Sequence, residues 1–214
     1  MRLIHILFIL IISFSSLVAD ILYSDDFSTD TTSEYNISTY AGFGGITYDN
    51  NNSQVYVDVG DNNYVVVSHS LPLLNEGIFT IYFYAITNYP NSADMTLRLE
   101  QDAQNYYELY STDRPDLHGP IGIKKVVNGI EVERNDFQNG YTQDNNYTLN
   151  IKFSPTQTLV NAFSESLLIN STTTSITVNS FSLTLAQQDG YLDNIIWSSS
   201  SNPTTNTAPL ADAG

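Results

Sequence analysis

The run Tyr106-Tyr107-Glu108-Leu109-Tyr110 is the segment of this sequence best equipped to hold a ligand. Alternate residues of a β-strand share a face, so Tyr106, Glu108 and Tyr110 stand together and Tyr107 and Leu109 stand opposite. Tyr107 and Leu109 make the better core pair. A buried Glu108 would be costly unless paired, so the two rings and the carboxylate are expected outside. A tyrosine offers a flat apolar face and a polar tip, which suits the C–H faces and hydroxyls of a sugar, and the carboxylate accepts hydrogen bonds from hydroxyls. Plain core packing is the competing account of Tyr106 and Tyr110. For Tyr82 and Tyr84, which also share a face, core packing is the preferred account, because tyrosine is a favoured strand residue.

Calcium is the metal the sequence favours. It takes oxygen ligands and serves extracellular modules. Asp25 or Asp26 near the start could meet Asp193 near the end if the first and last strands run side by side, and the pair expected to hold the ion is Asp26 with Asp193. Asp and Asn also simply make turns, which is the preferred account. Other chemistry is poorly supplied. There is no cysteine, and His69 and His118 are far apart, so thiolate and zinc sites are excluded or thin. No Gly-x-Ser-x-Gly elbow and no glycine-rich phosphate loop is present. Glu131 and Glu133 share a strand face at i, i+2, but they sit beside a tight turn and read as a solvated edge.

The elements that must position these groups are strands. Gln54 to Val59, Tyr64 to Val67, Ile78 to Ile86, Met95 to Glu100 and Tyr106 to Tyr110 alternate or run apolar. Ile121 to Val127 and Ile130 to Glu133 flank Asn128-Gly129, the strongest short-range signal for a two-residue hairpin. Asn139-Gly140 and Asp189-Gly190 are turn signals of the same kind. Tyr147 to Phe153, Thr158 to Phe163, Ser166 to Ile169, Ile176 to Leu185 and Tyr191 to Trp197 complete the set, and no helix of three turns is expected. The fold class is all-β: a two-sheet antiparallel β-sandwich of jelly-roll type.

The ends bound the compartment. Met1-Arg2, the apolar run Leu3 to Ile12 and the small residues before Asp20 have the layout of a secretory signal peptide over residues 1–19. The run is shorter than the roughly 20 apolar residues a bilayer span needs, so no membrane insertion is expected after cleavage. The chain is expected to be secreted or held at the cell surface. A net charge of −16 repels nucleic acid and suits neutral ligands or divalent cations. One domain, residues 20–198, is expected to carry the core. Residues 199–214 read as a Ser/Thr/Asn-rich linker leading into the truncated start of another domain.

Three places resemble the concanavalin A-like lectin and glucanase superfamily, the jelly-roll group that includes LamG-like domains. They are Ile21-Leu22-Tyr23-Ser24-Asp25-Asp26-Phe27-Ser28; Tyr107 to Tyr110 followed by Gly122 to Gly129; and Gly190-Tyr191-Leu192-Asp193-Asn194-Ile195. Asn206 to Gly214 resembles the opening of a PKD-type repeat, which implies further C-terminal domains of the same polypeptide. The resemblance implies the sandwich fold and glycan contact; fold alone does not give function. The paired-carboxylate strand of the group's retaining glucanases, Glu-x-Asp-x-x-Glu, is absent. A jelly-roll alginate lyase pattern is echoed by Arg98-Leu99-Glu100, His118 and Tyr141 in the right order, without the Gln and Lys it needs, and reads as coincidence. The expectation is a non-catalytic carbohydrate-binding or adhesion module of a larger protein, with a glycan or polysaccharide as partner. The alternative is a polysaccharide-active enzyme with a divergent site.

Overall fold

The computed structural model describes residues 19–42, 44–60, 63–86, 93–112, 121–170 and 175–199. The signal-peptide and linker expectations, the PKD-like segment and His118 lie almost wholly outside these residues. The strands are β1 (Ile21–Asp25), β2 (Asn36–Thr39), β3 (Gly45–Asp49), β4 (Gln54–Asp58), β5 (Tyr64–Leu74), β6 (Gly77–Ala85), β7 (Asp94–Asp102), β8 (Asn105–Thr112), β9 (Gly122–Val127), β10 (Ile130–Asp136), β11 (Asn145–Phe153), β12 (Gln157–Ala162), β13 (Glu165–Asn170), β14 (Val178–Ala186) and β15 (Gly190–Ser198). The sequence marks all of them except β2 and β3, which are short and carry few buried residues.

The strands form two antiparallel sheets packed as a sandwich. Sheet A runs β13-β12-β11-β6-β15-β4-β3, and sheet B runs β10-β9-β8-β7-β14-β5-β2. The first and last strands are neighbours, as expected: Tyr23 lies opposite Trp197 and Asp25 opposite Ile195. β4 and β1 divide one edge of β15 between them, β4 pairing with Gly190–Leu192 and β1 with Ile195–Ser198. The core lies between the sheets. Phe79, Ile81, Phe83 and Ala85 from sheet A meet Met95, Leu97, Leu99, Tyr107, Leu109, Phe181 and Leu183 from sheet B. Trp197 stacks on Phe153 at 5.4 Å, and its indole N–H donates to the Pro72 carbonyl at 2.8 Å. Pro72 sits where the β5–β14 register is irregular, a position that asks no ladder N–H of it.

Three local expectations are corrected. Asn128-Gly129 is the expected hairpin turn, with φ of 52° and 75°. Asn139-Gly140 and Asp189-Gly190 are not turns of that kind, since none of the four residues has a positive φ. Their glycines are required by close approach: a Cβ on Gly140 would sit 2.1 Å from the Thr112 carbonyl oxygen, and one on Gly190 2.5 Å from the Phe83 ring. Glu131 and Glu133 do not share a face. Val132 is an extra residue, so Glu131 pairs with Val126 and Glu133 with Lys125. This bulge turns Glu133 inward toward the buried Lys125, whose ammonium lies 5.8 Å from the Tyr107 ring centre. Burial lowers the Lys125 pKa, and Glu133 pulls it part of the way back. Finally, Tyr82 and Tyr84 are not core. They stand half-exposed on the outer face of sheet A, because Phe79, Ile81 and Phe83 fill the inner one.

Candidate functional site: a groove across sheet B

Strand register builds a charged row across the outer face of sheet B. Ser182, Arg98, Glu108, Lys124 and Arg134 stand side by side on β14, β7, β8, β9 and β10. The bulge at Val132 is what brings Arg134, rather than Glu133, opposite Lys124. Beside this row runs a second one: Val66, Thr184, Thr96, Tyr110 and Gly122. All of these residues line an open groove of about 620 Å³.

Glu108 is the centre of the site. Tyr107 and Leu109 point into the core, and Tyr106, Glu108 and Tyr110 face outward, yet Glu108 is only 5 % exposed. Its neighbours cover it. The Arg98 Nε–H donates to one carboxylate oxygen at 2.6 Å, and the Lys124 ammonium meets the other at 2.5 Å. A buried carboxylate with two cations satisfies the rule that buried charge must be paired. It also means that Glu108 positions the two cations and does not meet a ligand freely. The remaining N–H donors of Arg98 and Lys124 are the groups that face the groove, since a guanidinium has five and an ammonium three.

The two tyrosines have unequal places. Tyr110 lines the groove. Its hydroxyl donates to Asp94 at 3.2 Å, and burial, with Asp94 and Glu108 nearby, pushes its pKa up to about 12. Tyr106 lies outside the lining, with its ring 4.4 Å from the Arg98 guanidinium carbon, a cation–π contact that braces Arg98 from the side. Arg134 is held by Asp136 at 2.7 Å and by Glu131 at 3.3 Å, and the Asp136 hydrogen bond raises its pKa. Three of the chain's 7 basic residues, Arg98, Lys124 and Arg134, therefore gather in one groove of a protein with net charge −16. Sequence reasoning missed Lys124, Arg134, Ser182 and Thr184, because their meeting depends on long-range register.

The expected metal pair lies at the opposite side of the molecule, near enough for the Asp26 charge to act on Asp193. Asp193 precedes an irregularity in β15, where Asn194 has φ 53°, at the point where the strand's edge passes from β4 to β1. Asp26 follows the last residue of β1. Burial, and then the Asp26 charge, push the Asp193 pKa up to about 6. Hydrogen bonds from Ser28 hold Asp26 below the usual range. Asp25 is committed elsewhere: it accepts from the Phe27 N–H at 2.9 Å, Thr31 at 2.6 Å and Tyr35 at 2.8 Å. Two carboxylates are the right donors for calcium, which takes six to eight oxygens, but they are few. Among the described residues no group of three or more His, Cys, Asp or Glu side chains could hold a metal ion.

The described residues of the lyase-like pattern are engaged elsewhere. Arg98 is bound to Glu108, Glu100 accepts from Ser182 at 2.5 Å, and Tyr141 is buried.

No protein-family model and no curated protein matches the chain. Solved structures do. A protein of unknown function with a galectin-like fold from Bacillus subtilis superposes with a TM-score of 0.60 at 9 % identity, over 85 % of this chain and 98 % of that one. The carbohydrate-binding module CBM66 from Bacillus subtilis gives 0.50 at 13 % identity, over 76 % and 95 %. The exoplasmic/lumenal domain of VIP36, in a form bound to Ca²⁺ and Man3GlcNAc, gives 0.57 at 10 % identity, over 88 % and 93 %. At these identities the likeness speaks for fold, and the fold is a galectin-like jelly roll.

Proposed function

We propose that this chain is an exported, non-catalytic carbohydrate-binding module whose glycan lies in the groove across sheet B. The observation that carries the reading is the Arg98–Glu108–Lys124 row with Tyr110 beside it: fixed N–H donors and one aromatic wall in an open groove, the equipment for sugar hydroxyls. Neighbours described as a carbohydrate-binding module and as a glycan-bound domain lend it support. Secretion, attachment to further domains and structural calcium belong to the same proposal. The first two rest on the sequence of the two ends, the last on the closeness of Asp26 to Asp193.

The enzymatic alternative is a glycoside hydrolase or a polysaccharide lyase; a hydrolase of the common kind needs two carboxylates flanking the glycosidic bond, about 5 Å apart or roughly 6.5–9.5 Å apart. Among the described residues one carboxylate lines the groove, Glu108, and both of its oxygens are engaged. A glycan array decides the proposal. Tyr110→Ala is expected to weaken the wild-type signal by about 1–3 kcal/mol, the scale of burying a large side chain, with the fold intact by circular dichroism. Tyr106→Ala is expected to act less, through Arg98. Unchanged binding in Tyr110→Ala would remove the groove from consideration, and release of sugar products on incubation would favour the enzyme.

A further inference from the structure

The outer face of sheet A has a different chemistry. Register sets Asn146, Tyr84, Tyr191, Tyr56 and Thr47 in one line across β11, β6, β15, β4 and β3. The three tyrosines are half-exposed. Tyr191 stands 6.4 Å from Tyr84 and 5.2 Å from Tyr56, ring centre to ring centre, with the planes inclined by 41° and 44°. The Tyr56 hydroxyl is anchored on Asp189 at 2.5 Å, and the same carboxylate accepts the Val59 N–H. The next line holds Thr148, Tyr82 and Asp193, and the one after it Asn161, Asn150, Thr80 and Ile196. None of these residues is basic, whereas the groove on sheet B gathers three cations.

We propose that this tyrosine strip is a second binding face, separate from the groove, for a single chain of a neutral polysaccharide laid across the strands. The rings are not needed for packing, because the inner face of β6 is already filled by Phe79, Ile81, Phe83 and Ala85. Ring faces with hydroxyl tips, flanked by amides and threonines, match the alternating C–H faces and hydroxyls of sugar units. Tyr84 and Tyr56 lie two strand spacings apart, about 10 Å, which favours an extended occupant over a single sugar. The inclination of the rings leaves no common plane, so a twisting soluble chain fits and the flat face of a crystal does not. Asp193 and the net charge of −16 repel a polyanion.

Affinity electrophoresis tests this, with mixed-linkage β-glucan, xyloglucan and galactomannan as neutral probes and polygalacturonate as the anionic one. The wild-type protein is expected to be retarded by at least one neutral polymer and not by polygalacturonate. In a Tyr110→Ala background, with the groove disabled, Tyr191→Ala should weaken the retardation that remains about tenfold, and Tyr191→Phe should keep most of it. Should Tyr191→Ala fail to fold by circular dichroism, Tyr84→Ala at the end of the strip is expected to show the same loss. Retardation by no neutral polymer, retardation lost in Tyr110→Ala but kept in Tyr191→Ala, or a tyrosine-dependent dimer in sedimentation would each overturn the proposal. The Tyr110→Ala arm separates this outcome from failure of the groove.

Discussion

Replacing Asp193 with Asn should stabilise the protein at neutral pH and do nothing near pH 4. The Asp193 carboxyl is half-buried beside Asp26, and its pKa stands at about 6 against an ordinary 3.8. The folded state therefore holds a proton between about pH 4 and 6 that the unfolded chain has released. Stability is greatest at the acidic end of that window and is lost as the pH rises through it. Each tenfold change in proton affinity is about 1.4 kcal/mol, so the shift sets an upper bound of about 3 kcal/mol. Solvent screening at a half-exposed group reduces this to about 1–1.5 kcal/mol. In a domain of this size that is a rise of roughly 2–5 °C in Tm for Asp193→Asn at pH 7.5. Thermal melts followed by circular dichroism in low-salt buffers from pH 4 to 8 read it directly. A variant less stable than wild type at pH 7.5, or a difference that does not change with pH, would refute the reasoning.

Calcium turns the same residue the other way. At a hundredfold excess over its Kd it adds about 2.7 kcal/mol, so wild-type melts with calcium and with chelator should separate while those of Asp193→Asn coincide. Equal wild-type midpoints end the calcium proposal. Glu108→Ala leaves Arg98 and Lys124 facing each other without their shared anion. Both cations keep some contact with water, so the expected loss by urea denaturation is about 1–3 kcal/mol; a neutral result would mean that the row is not held as described. Gly190→Ala should cost about 1–3 kcal/mol by overpacking against Phe83, and an unchanged Tm would show that the Phe83 ring yields there without penalty.

Period-two alternation makes most of the fold legible. It separates Tyr107 and Leu109 from Tyr106, Glu108 and Tyr110, because polar and apolar residues take opposite sides there. It fails at β6, where Phe79, Ile81, Phe83, Tyr82 and Tyr84 make both faces look apolar and burial follows only from which side meets the other sheet. It fails again at Val132, since nothing local announces a bulge, and one inserted residue exchanges Glu133 for Arg134 in the groove. Gly140 and Gly190 look like turns because the backbone and side chain that crowd them come from distant strands. The tyrosine strip is invisible in the sequence for the same reason. Tyr56, Tyr84 and Tyr191 are spread along the chain and become neighbours only through the order β6-β15-β4.

The pairing of β1 with β15 also decides how the domain would answer a mechanical load. Asp20 and Ser199 are joined by two hydrogen bonds, each at 3.0 Å, at the end of this antiparallel pair. Tension applied through these two residues pulls at right angles to the strands, so the bonds break one after another as in a zipper instead of sharing the force. The β1 segment peels away first, and Asp25 leaves its bonds to Thr31 and Tyr35 at the last step. Strung within a longer polymer, such a domain gives way at low force and lengthens the chain before its neighbours are strained, a behaviour that single-molecule pulling between residues 20 and 199 would register.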